Sequence, residues 1–261
     1  MFITKELALK IENCINNSHV QFTSQCTNGS VLKVGTGAAF FSGDNSFFSQ
    51  VIGWGFDTTE EQFSSEIQEI EAFYLKLKYR QIDIELCPFV GNVIFSELSK
   101  RGYQITELNN ISVLDLSRVG FAAVPTQEDC SIRPIDALYL DEWAASVASG
   151  FEYDEAIAQF YRYAKAECVT PFGVFIHNKL VAGGTIAIHN GIADLGITST
   201  LPAWRNRGLQ KSLLSARIEY AIQAGASIAT VTTAPGSISD LNIQKMGFQM
   251  AYTRIKLGRT F

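Results

Sequence analysis

The sequence predicts an α+β protein made of two similar halves, each a mixed, mostly antiparallel sheet flanked by helices. Three observations lead to this prediction. Strand and helix patterns alternate along the second half, and the first half repeats part of that order. A similar six-residue segment also occurs in both halves, at residues 98–103 and 243–248. In each copy a short helical segment ends at a glycine, and an aromatic residue then begins a strand. We interpret the chain as an internal duplication.

The first-half pattern gives strands at 31–41 and 47–56, a helix at 60–79, a strand at 81–86, a helix at 93–100 and a strand at 103–116. Thr59 precedes the longer helix as a predicted N-cap, and Glu60 and Glu61 place negative charge in its first turn. This helix start needs no external anion. We therefore predict that the first half is a scaffold or a substrate wall.

Glycine, proline and small residues interrupt the pattern at 119–127, which predicts a linker between domains 1–122 and 129–261. The second half then gives a strand at 132–135, helices at 137–148 and 154–167, strands at 172–177, 180–189 and 193–200, a helix at 209–224, a strand at 227–233, a helix at 239–246 and a strand at 248–256. Leu214, Ile218, Ala221 and Ile222 form an apolar stripe on the long helix. Packing of this stripe on the sheet would hold the start of the helix rigidly.

Composition narrows the possible partners. The chain has 261 residues, 47% of them hydrophobic, and a formal net charge of -5, which argues against a nucleic-acid or anionic-membrane surface. The first residues are charged where a secretory signal is apolar, and no run reaches membrane-spanning length. We expect a cytoplasmic protein with no nucleic-acid or membrane partner.

The cysteines have no metal-binding pattern. They are odd in number and widely spread, and none forms a ligand spacing with a histidine: Cys14, Cys26, Cys87, Cys130 and Cys168. We expect reduced thiols and no metal.

Positive charge is concentrated where the long helix of the second half begins. No carboxylate occurs between Asp194 and Glu219, yet four cations surround Gly208 there: Arg205, Arg207, Lys211 and Arg217. Cations in a first helical turn oppose the helix dipole by roughly 0.3–1 kcal/mol each, whereas an anion is stabilised by the dipole and by free N–H groups. We infer a ligand that carries phosphate.

Two common phosphate-binding patterns do not fit this turn. A Walker A loop requires a glycine immediately before the lysine and another glycine five residues before that one, but Gln210 and Arg205 occupy these positions. The dinucleotide fingerprint GxGxxG is also missing, because Gly208 is the only glycine of the turn. The sequence therefore argues against a nucleotide triphosphatase and a dinucleotide-binding enzyme.

Residues 202–210 (PAWRNRGLQ), followed by Leu213-Leu214 and by Gly247-Phe248, resemble the pyrophosphate loop and C-terminal motif of the GNAT superfamily of acyl-CoA-dependent N-acyltransferases. Gln210 stands where the family usually has a small residue. The resemblance covers about residue 131 to the end, including residues 235–248, and reaches the first half only faintly. It implies two GNAT-like halves, of which the first is degenerate and lacks a CoA loop.

The resemblance implies an N-acetyltransferase that moves an acetyl group from acetyl-CoA, its cosubstrate, to a primary amine of a small molecule, peptide or protein by direct attack on the thioester. The cofactor-binding residues implied are Thr198, Ser199 and Thr200 on the strand, Arg205, Asn206, Arg207, Gly208, Leu209, Gln210 and Lys211 in the turn and helix start, and Asn242 further on.

The catalytic residues are less well defined. Many members of the family have a tyrosine four residues before the Gly-Phe pair, where this chain has Ile243. Ser239 or Tyr252 are the alternative proton donors, although a capping Ser239 and a core Tyr252 fit the pattern equally well. Asp194 is the candidate base, with Glu152 and Asp154 as alternatives beside the expected acceptor pocket.

The sequence is also compatible with functions other than acyl transfer. Positioning of the substrates alone can supply much of an acyl-transfer rate, without a dedicated base. A non-catalytic acyl-CoA-binding or sensing module is the alternative function. An interaction scaffold with solvated cations is a third.

Overall fold

The structure is a computed structural model in which residues 2–118 and 130–261 are described. The predicted linker at 119–127 lies outside these residues. By their contacts, the described residues divide into two compact units. The first takes the chain up to Ser112 with Thr233–Asp240 and Met250–Phe261, and the second takes Val113–Thr232 and Leu241–Gln249. The division of the sequence into halves 1–122 and 129–261 stays a prediction.

The first unit is a mixed sheet with three helices. In chain order its elements are α1 (Lys5–Ser24), β1 (Ser30–Val34), β2 (Gly37–Phe41), β3 (Val51–Ile52), α2 (Glu60–Lys76), β4 (Gln81–Leu86), α3 (Asn92–Lys100) and the greater part of β5 (Gln104–Asp115). The last strand of the chain, β12 (Gln249–Thr260), pairs antiparallel with β4, so the strand order is β1-β2-β3-β4-β12-β5.

The sequence analysis missed α1. Thr4 caps this helix by accepting a hydrogen bond of 3.2 Å from the Leu7 N–H. The buried apolar positions share the spacing of one helical face: Ala8, Ile11, Ile15 and Phe22. This spacing is visible in the sequence and was a usable signal.

A β-α-β unit runs from β3 through α2 to β4, and its two strands are parallel. Thr59 Oγ accepts from the Gln62 N–H at 3.3 Å, and the Gln62 side chain accepts from the Thr59 N–H at 3.0 Å. The predicted threonine cap is confirmed as a capping box. The strand predicted at 47–56 is only the short β3, and the strand predicted at 31–41 is a hairpin that turns at Gly35, where φ is +51°.

One side of this unit buries an ionic cluster. Arg254 donates to Glu12 at 2.9 Å and to Glu85 at 3.0 Å, and the Tyr252 hydroxyl donates to Glu12 at 2.7 Å. All four side chains are at least nine-tenths buried. Burial and the charge of Glu12 raise the pKa of Tyr252 well above its ordinary value. Tyr252, an alternative proton donor in the sequence analysis, is thus a core residue of the first unit.

The second unit contains the remaining elements. They are β6 (Cys130–Pro134), α4 (Leu140–Phe151), α5 (Ile157–Ala164), β7 (Val169–Ile176), β8 (Lys179–His189), β9 (Ile192–Asp194), β10 (Ser199–Thr200), α6 (Leu209–Gln223), β11 (Ile228–Thr233) and α7 (Ile238–Lys245), of which the last two also extend into the first unit. The strand order is β11-β9-β8-β7-β6, and β9 and β11 are parallel. The predicted order is confirmed, with the strand expected at 193–200 divided into β9 and β10.

Helix α6 packs on the sheet as expected, with two corrections. Leu214, Ile218 and Ala221 are buried in the core of this unit, but Ile222 is 41% exposed and Arg217 is 1% exposed. The buried face therefore excludes Ile222 of the predicted stripe and includes Arg217, which the sequence grouped with the cations around Gly208.

The repeated six-residue segment has the same geometry in both copies. Gly102 and Gly247 follow α3 and α7 with φ of +87° and +90°, a conformation that glycine adopts without strain. The next N–H then reaches back five residues in each copy, from Tyr103 to Leu98 and from Phe248 to Ile243, at 3.1 Å. Both units also contain a parallel β-α-β crossover, which supports the duplication. Within the described residues, no helix combines the length and the apolar character that crossing a bilayer requires.

Candidate functional site

Two neighbouring strands of the second unit separate at the carboxyl end of β9. β9 runs beside β11 as far as the pair Asp194 and Thr230, and the last bond between them joins the Leu195 N–H to the Thr230 carbonyl at 2.8 Å. The chain then pairs only with β8, through Ser199 opposite Gly183. Among the described residues β10 has no strand partner on its other side. We call this break in pairing between β10 and the continuing β11 the opening.

A bulge at 196–198 produces this separation. The Gly196 carbonyl accepts hydrogen bonds from the Thr185 N–H at 3.0 Å and from the Thr198 hydroxyl at 3.2 Å. Ile197 has φ of +38°, which is unusual for a β-branched residue. Within the described residues, the N–H groups of Ile197 and Thr198 find no acceptor. The predicted Ser199 and Thr200 instead pair with β8, and the Ser199 hydroxyl donates to the Val147 carbonyl at 2.9 Å.

Helix α6 begins beside this opening without a protein cap. Gly208 is the N-cap with φ of +77°, it makes no side-chain cap hydrogen bond, and the first turn contains no carboxylate. Among the described residues, no acceptor is found for the N–H groups of Gly208 and Leu209. Residues 205–208 are exposed, and a Cβ built on Gly208 would meet nothing within 4 Å. The corner is open to solvent and presents free donors at the positive end of a helix.

The predicted cations do not all face this corner. Arg205 is held by α4, because its Nη1 lies 2.9 Å from Glu152 Oε1 and its Nη2 donates to the Gly150 carbonyl at 2.8 Å. The Arg205 and Glu152 side chains are 44% and 66% exposed. An exposed ion pair of this kind typically contributes about 1 kcal/mol or less to stability. An anionic ligand that binds Arg205 could therefore replace Glu152 as its partner.

Arg207 and Lys211 lie in the turn and in the first turn of α6. The guanidinium carbon of Arg207 lies 4.6 Å from the centre of the Trp204 ring, and Arg207 also donates to the Ala203 carbonyl at 3.4 Å. Lys211 is partly buried and has no carboxylate partner in the part of the chain that the structure describes. Asn206, between the two arginines, is exposed with φ of +64°.

The sequence predicts Arg217 as one of four cations around Gly208, but its side chain is buried in the core. Its Nη1 donates to the Thr185 carbonyl at 2.8 Å and to the Gly196 carbonyl at 3.2 Å, and its Nε donates to the Leu213 carbonyl at 3.4 Å. Burial lowers the pKa of Arg217 to about 9, partly opposed by the negative charge of Asp194. The apolar periodicity of α6 gave no signal for this inward orientation.

The structure joins two predicted residues from different helices. Asn242 of α7 donates from Nδ2 to Gln210 Oε1 of α6 at 2.8 Å. The glutamine that replaces a small residue in the turn thus contacts the asparagine that the resemblance singles out.

The candidate catalytic residues lie in less open positions. Asp194 is 8% exposed, and its negative charge raises the pKa of the nearby Arg217 against the lowering by burial. Ser239 is the second residue of α7, partly buried, but the hydroxyl that caps this helix belongs to Ser237, which accepts from the Asp240 N–H at 3.1 Å. Ile243 is 3% exposed in the core of the second unit. Glu152 and Asp154 are exposed.

The corresponding helix start in the first unit is capped by protein groups. Trp54 Nε1 donates to Glu66 at 2.6 Å, and the Thr58 hydroxyl donates to the same oxygen at 2.7 Å. Trp54 is fully buried. A cavity of about 150 Å³ lies beside Thr59 and Glu60, but the capping box at Thr59 already satisfies the start of α2, which distinguishes it from the start of α6.

Sequence reasoning missed Trp204 and Gly196, which shape the loop and the bulge. Trp204 had a usable signal, because an arginine three residues after a tryptophan in a short turn can stack on the ring. Gly196 had none, because its role depends on donors from β8 and α6.

No protein-family model matches this sequence, and a comparison with curated proteins finds no match either. Solved structures do match it. A GCN5-related N-acetyltransferase from Kribbella flavida is 15% identical with a TM-score of 0.73, and 95% of each chain is covered. The chain has the GNAT fold.

Two further structures agree with this result. A tandem GNAT protein from the clavulanic acid biosynthesis pathway is 13% identical, covering 98% of this chain and 94% of that chain with a TM-score of 0.66. A GCN5-related N-acetyltransferase from Sphaerobacter thermophilus is 10% identical, covering 98% and 93%, also with a TM-score of 0.66. The predicted fold class is confirmed, and the similarity to GNAT structures extends over nearly the whole chain.

Proposed function

We propose that this protein is an acyl-CoA-dependent N-acyltransferase that transfers an acetyl group from acetyl-CoA to a primary amine. The observation that carries the proposal is the uncapped start of α6 beside the opening between β10 and β11. Free N–H groups at a helix start bind phosphate, and an opening between strands accommodates an extended arm. The fold of the N-acetyltransferases supports the same activity.

In this proposal the diphosphate of CoA binds at the N–H groups of Gly208 and Leu209. Arg207 and Lys211 neutralise its charge, and Arg205 joins them after exchanging Glu152 for a phosphate oxygen. A diphosphate bound there would occupy the space that is empty around Gly208. Asn206, Gln210 and Asn242 complete the cofactor site as we propose it.

The pantetheine arm then enters the opening and brings the thioester to the bulge. The amine nitrogen attacks the carbonyl carbon, the N–C bond forms as the C–S bond breaks, and the thiolate leaves as CoA. The free N–H of Thr198 is proposed to stabilise the negative charge that develops on the carbonyl oxygen, while Ser199 and Thr200, paired with β8, are proposed to line the path of the arm. The amine loses a proton and the thiolate gains one.

Proton transfer is assigned within the same proposal. Ser239 is the proposed donor to the thiolate and Asp194 the proposed base. Asp194 is buried and lies near Arg217, so a water chain would have to connect it with the amine. Orientation of the two substrates supplies the larger part of the rate in this scheme.

Calorimetry with CoA and acetyl-CoA tests the cofactor site. Gly208→Trp fills the open corner and is expected to abolish binding. The matched control is Gly225→Trp beyond the other end of α6, about 25 Å away, because Gly225 also has positive φ, +78°, and also has open space around it. Wild type and the control should bind equally. Absence of binding by the wild type would overturn the proposal.

Release of free thiol from acetyl-CoA, measured across a panel of amines, tests the chemistry. The panel contains small amines, amino acids, peptides with a free amino group and lysine-containing proteins. The expected result is release that depends on one class of amine and is lost in Gly208→Trp. Comparison with longer acyl-CoA esters tests the choice of acetyl. A cytoplasmic location is part of the proposal.

A second candidate is a non-catalytic acyl-CoA-binding module. The observation that favours it is the burial of Ile243 in the core, at the position where many family members have a proton-donating tyrosine. This candidate predicts CoA binding in calorimetry with no amine-dependent thiol release. Turnover with any amine excludes it.

A further inference from the structure

We propose that Arg217 is a positioning residue that holds β10 away from β11 and so keeps the opening for the pantetheine arm. This inference rests on the proposed function, since it concerns the same cofactor site. Arg217 touches neither the open corner at Gly208 nor any exposed surface. It acts through the backbone of the bulge.

The guanidinium of Arg217 bridges β8 and the bulge at 196–198. Its Nη1 donates both to the Thr185 carbonyl of β8 and to the Gly196 carbonyl, at 2.8 and 3.2 Å. Gly196 stands one residue before Ile197, where the backbone leaves the extended conformation. The arginine therefore fixes the point at which the chain turns away from β11.

The sequence of β8 makes room for this arginine. A Cβ built on Gly184 would lie 2.8 Å from Arg217 Nη1 and 2.9 Å from its Cζ, closer than a real Cβ comes. Glycine at this position weakens a strand, because it has no side chain to pack. Close approach of the guanidinium is the physical reason for a glycine here.

The Gly196 carbonyl collects three donors: the Thr185 N–H, the Thr198 hydroxyl and Arg217 Nη1. Together they hold Ile197 at a positive φ, which a β-branched residue adopts only when its surroundings enforce it. If the arginine is removed, Ile197 is free to return to an extended conformation. The chain can then continue its pairing along β11 and close the opening.

Stability does not account for this residue. Burial of a guanidinium is costly, and an apolar side chain of similar volume at such a position is often neutral or stabilising. The desolvation is visible as the lowered pKa of Arg217. We explain the buried guanidinium of Arg217 by the conformation it imposes. It donates to the Gly196 carbonyl, where the bulge begins.

Comparing the binding of two nucleotides, CoA and ADP, distinguishes this positioning role from a general structural one. CoA uses both the corner at Gly208 and the opening, whereas ADP carries a 5′-diphosphate like that of CoA but no pantetheine arm. Arg217→Met is expected to weaken CoA binding at least tenfold in calorimetry and to change ADP binding by less than twofold. Arg217→Lys keeps the charge and donors, and should restore part of the CoA affinity.

Gly184→Ala gives a second route to the same result, because its methyl group displaces the guanidinium without removing it. This variant should show the same selective loss of CoA binding if Arg217→Met does not fold. Leu214→Ala is the matched control, since Leu214 lies on the same buried face of α6 but in the apolar core. It should lower the urea midpoint and leave the ratio of CoA to ADP affinity unchanged.

The outcomes distinguish this inference from the proposed function. Wild type that binds CoA, with Arg217→Met and Gly184→Ala binding it equally well, overturns the role of Arg217 alone. Parallel loss of CoA and ADP in both variants also overturns it, because a structural defect then explains the result. Wild type that binds neither nucleotide overturns the proposed function together with this inference.

Discussion

Asn242 Nδ2 donates to Gln210 Oε1 at 2.8 Å, and this bond ties α7 to the first turn of α6. Both side chains are partly buried, so each holds the other in a fixed orientation. The pair stands beside the uncapped helix start at Gly208. Gln210 stands where the sequence resemblance leads us to expect a small residue, and Asn242 is its hydrogen-bond partner.

The first prediction concerns this pair. Gln210→Ala and Asn242→Ala should each weaken CoA binding by about 1 kcal/mol, roughly fivefold, because each removes one partner of the same hydrogen bond. The double variant should lose little more than either single variant, since both changes remove one interaction. Calorimetry measures all three affinities. Gln244→Ala, an exposed position on α7, is the control, and strictly additive losses would contradict the coupling.

The second prediction concerns the ion pair of Arg205 with Glu152, 2.9 Å long and exposed. In the proposed complex Arg205 must give up Glu152 to bind phosphate, so Glu152→Gln should tighten CoA binding by about two- to fivefold, the scale of an exposed ion pair. Arg205→Ala should weaken it.

Glu155→Gln provides the control for the Glu152 experiment. Glu155 is exposed nearby, and its substitution removes the same charge without touching Arg205. If both variants tighten binding equally, general charge repulsion is the cause. Unchanged binding in Glu152→Gln would show that Arg205 does not exchange partners.

The third prediction concerns stability in acid. His19 is buried in the first unit, its Nδ1 lies 3.0 Å from the Ile15 carbonyl, and burial lowers its pKa to about 4. The unfolded chain takes up a proton at this histidine below about pH 6.5, whereas the folded chain does so only below about pH 4. Acidification between these values therefore favours unfolding, by up to about 3 kcal/mol.

Urea unfolding at a series of pH values measures this effect. His19→Gln removes the titrating group and should flatten the dependence between pH 6.5 and 4. His177→Gln, at an exposed histidine, is the control. The same slope in wild type and in His19→Gln would show that another group is responsible.

The fourth prediction concerns the buried ionic cluster. Arg254→Met leaves the fully buried Glu12 without its cation, whereas Glu85 keeps Lys256 at 3.5 Å. We expect a loss of about 3–5 kcal/mol in the free energy of unfolding, because an uncompensated buried charge remains. Lys10→Met breaks the exposed pair of Lys10 with Glu6 and should cause no comparable loss in the same denaturation experiment. Equal stability of the two variants would contradict the prediction.

Much of this protein was determined by its sequence alone. The order of strands and helices, the threonine cap at Thr59 and the glycine ends at Gly102 and Gly247 all follow from neighbours within a few residues. The uncapped start of α6 is equally local, because Gly208 offers no side chain and no acidic residue follows in the first turn. Such signals survive in one sequence without any knowledge of the rest of the molecule.

Only the tertiary structure decided which side chains are free and which are engaged. Arg205 and Arg217 have the same charge, but one is held by Glu152 at the surface and the other is buried against Gly184 and the Gly196 carbonyl. Their partners lie on other elements, far away in the chain, and periodicity carries no information about them. Spacing shows where a cation stands along a helix, whereas packing determines which carbonyl or carboxylate it meets.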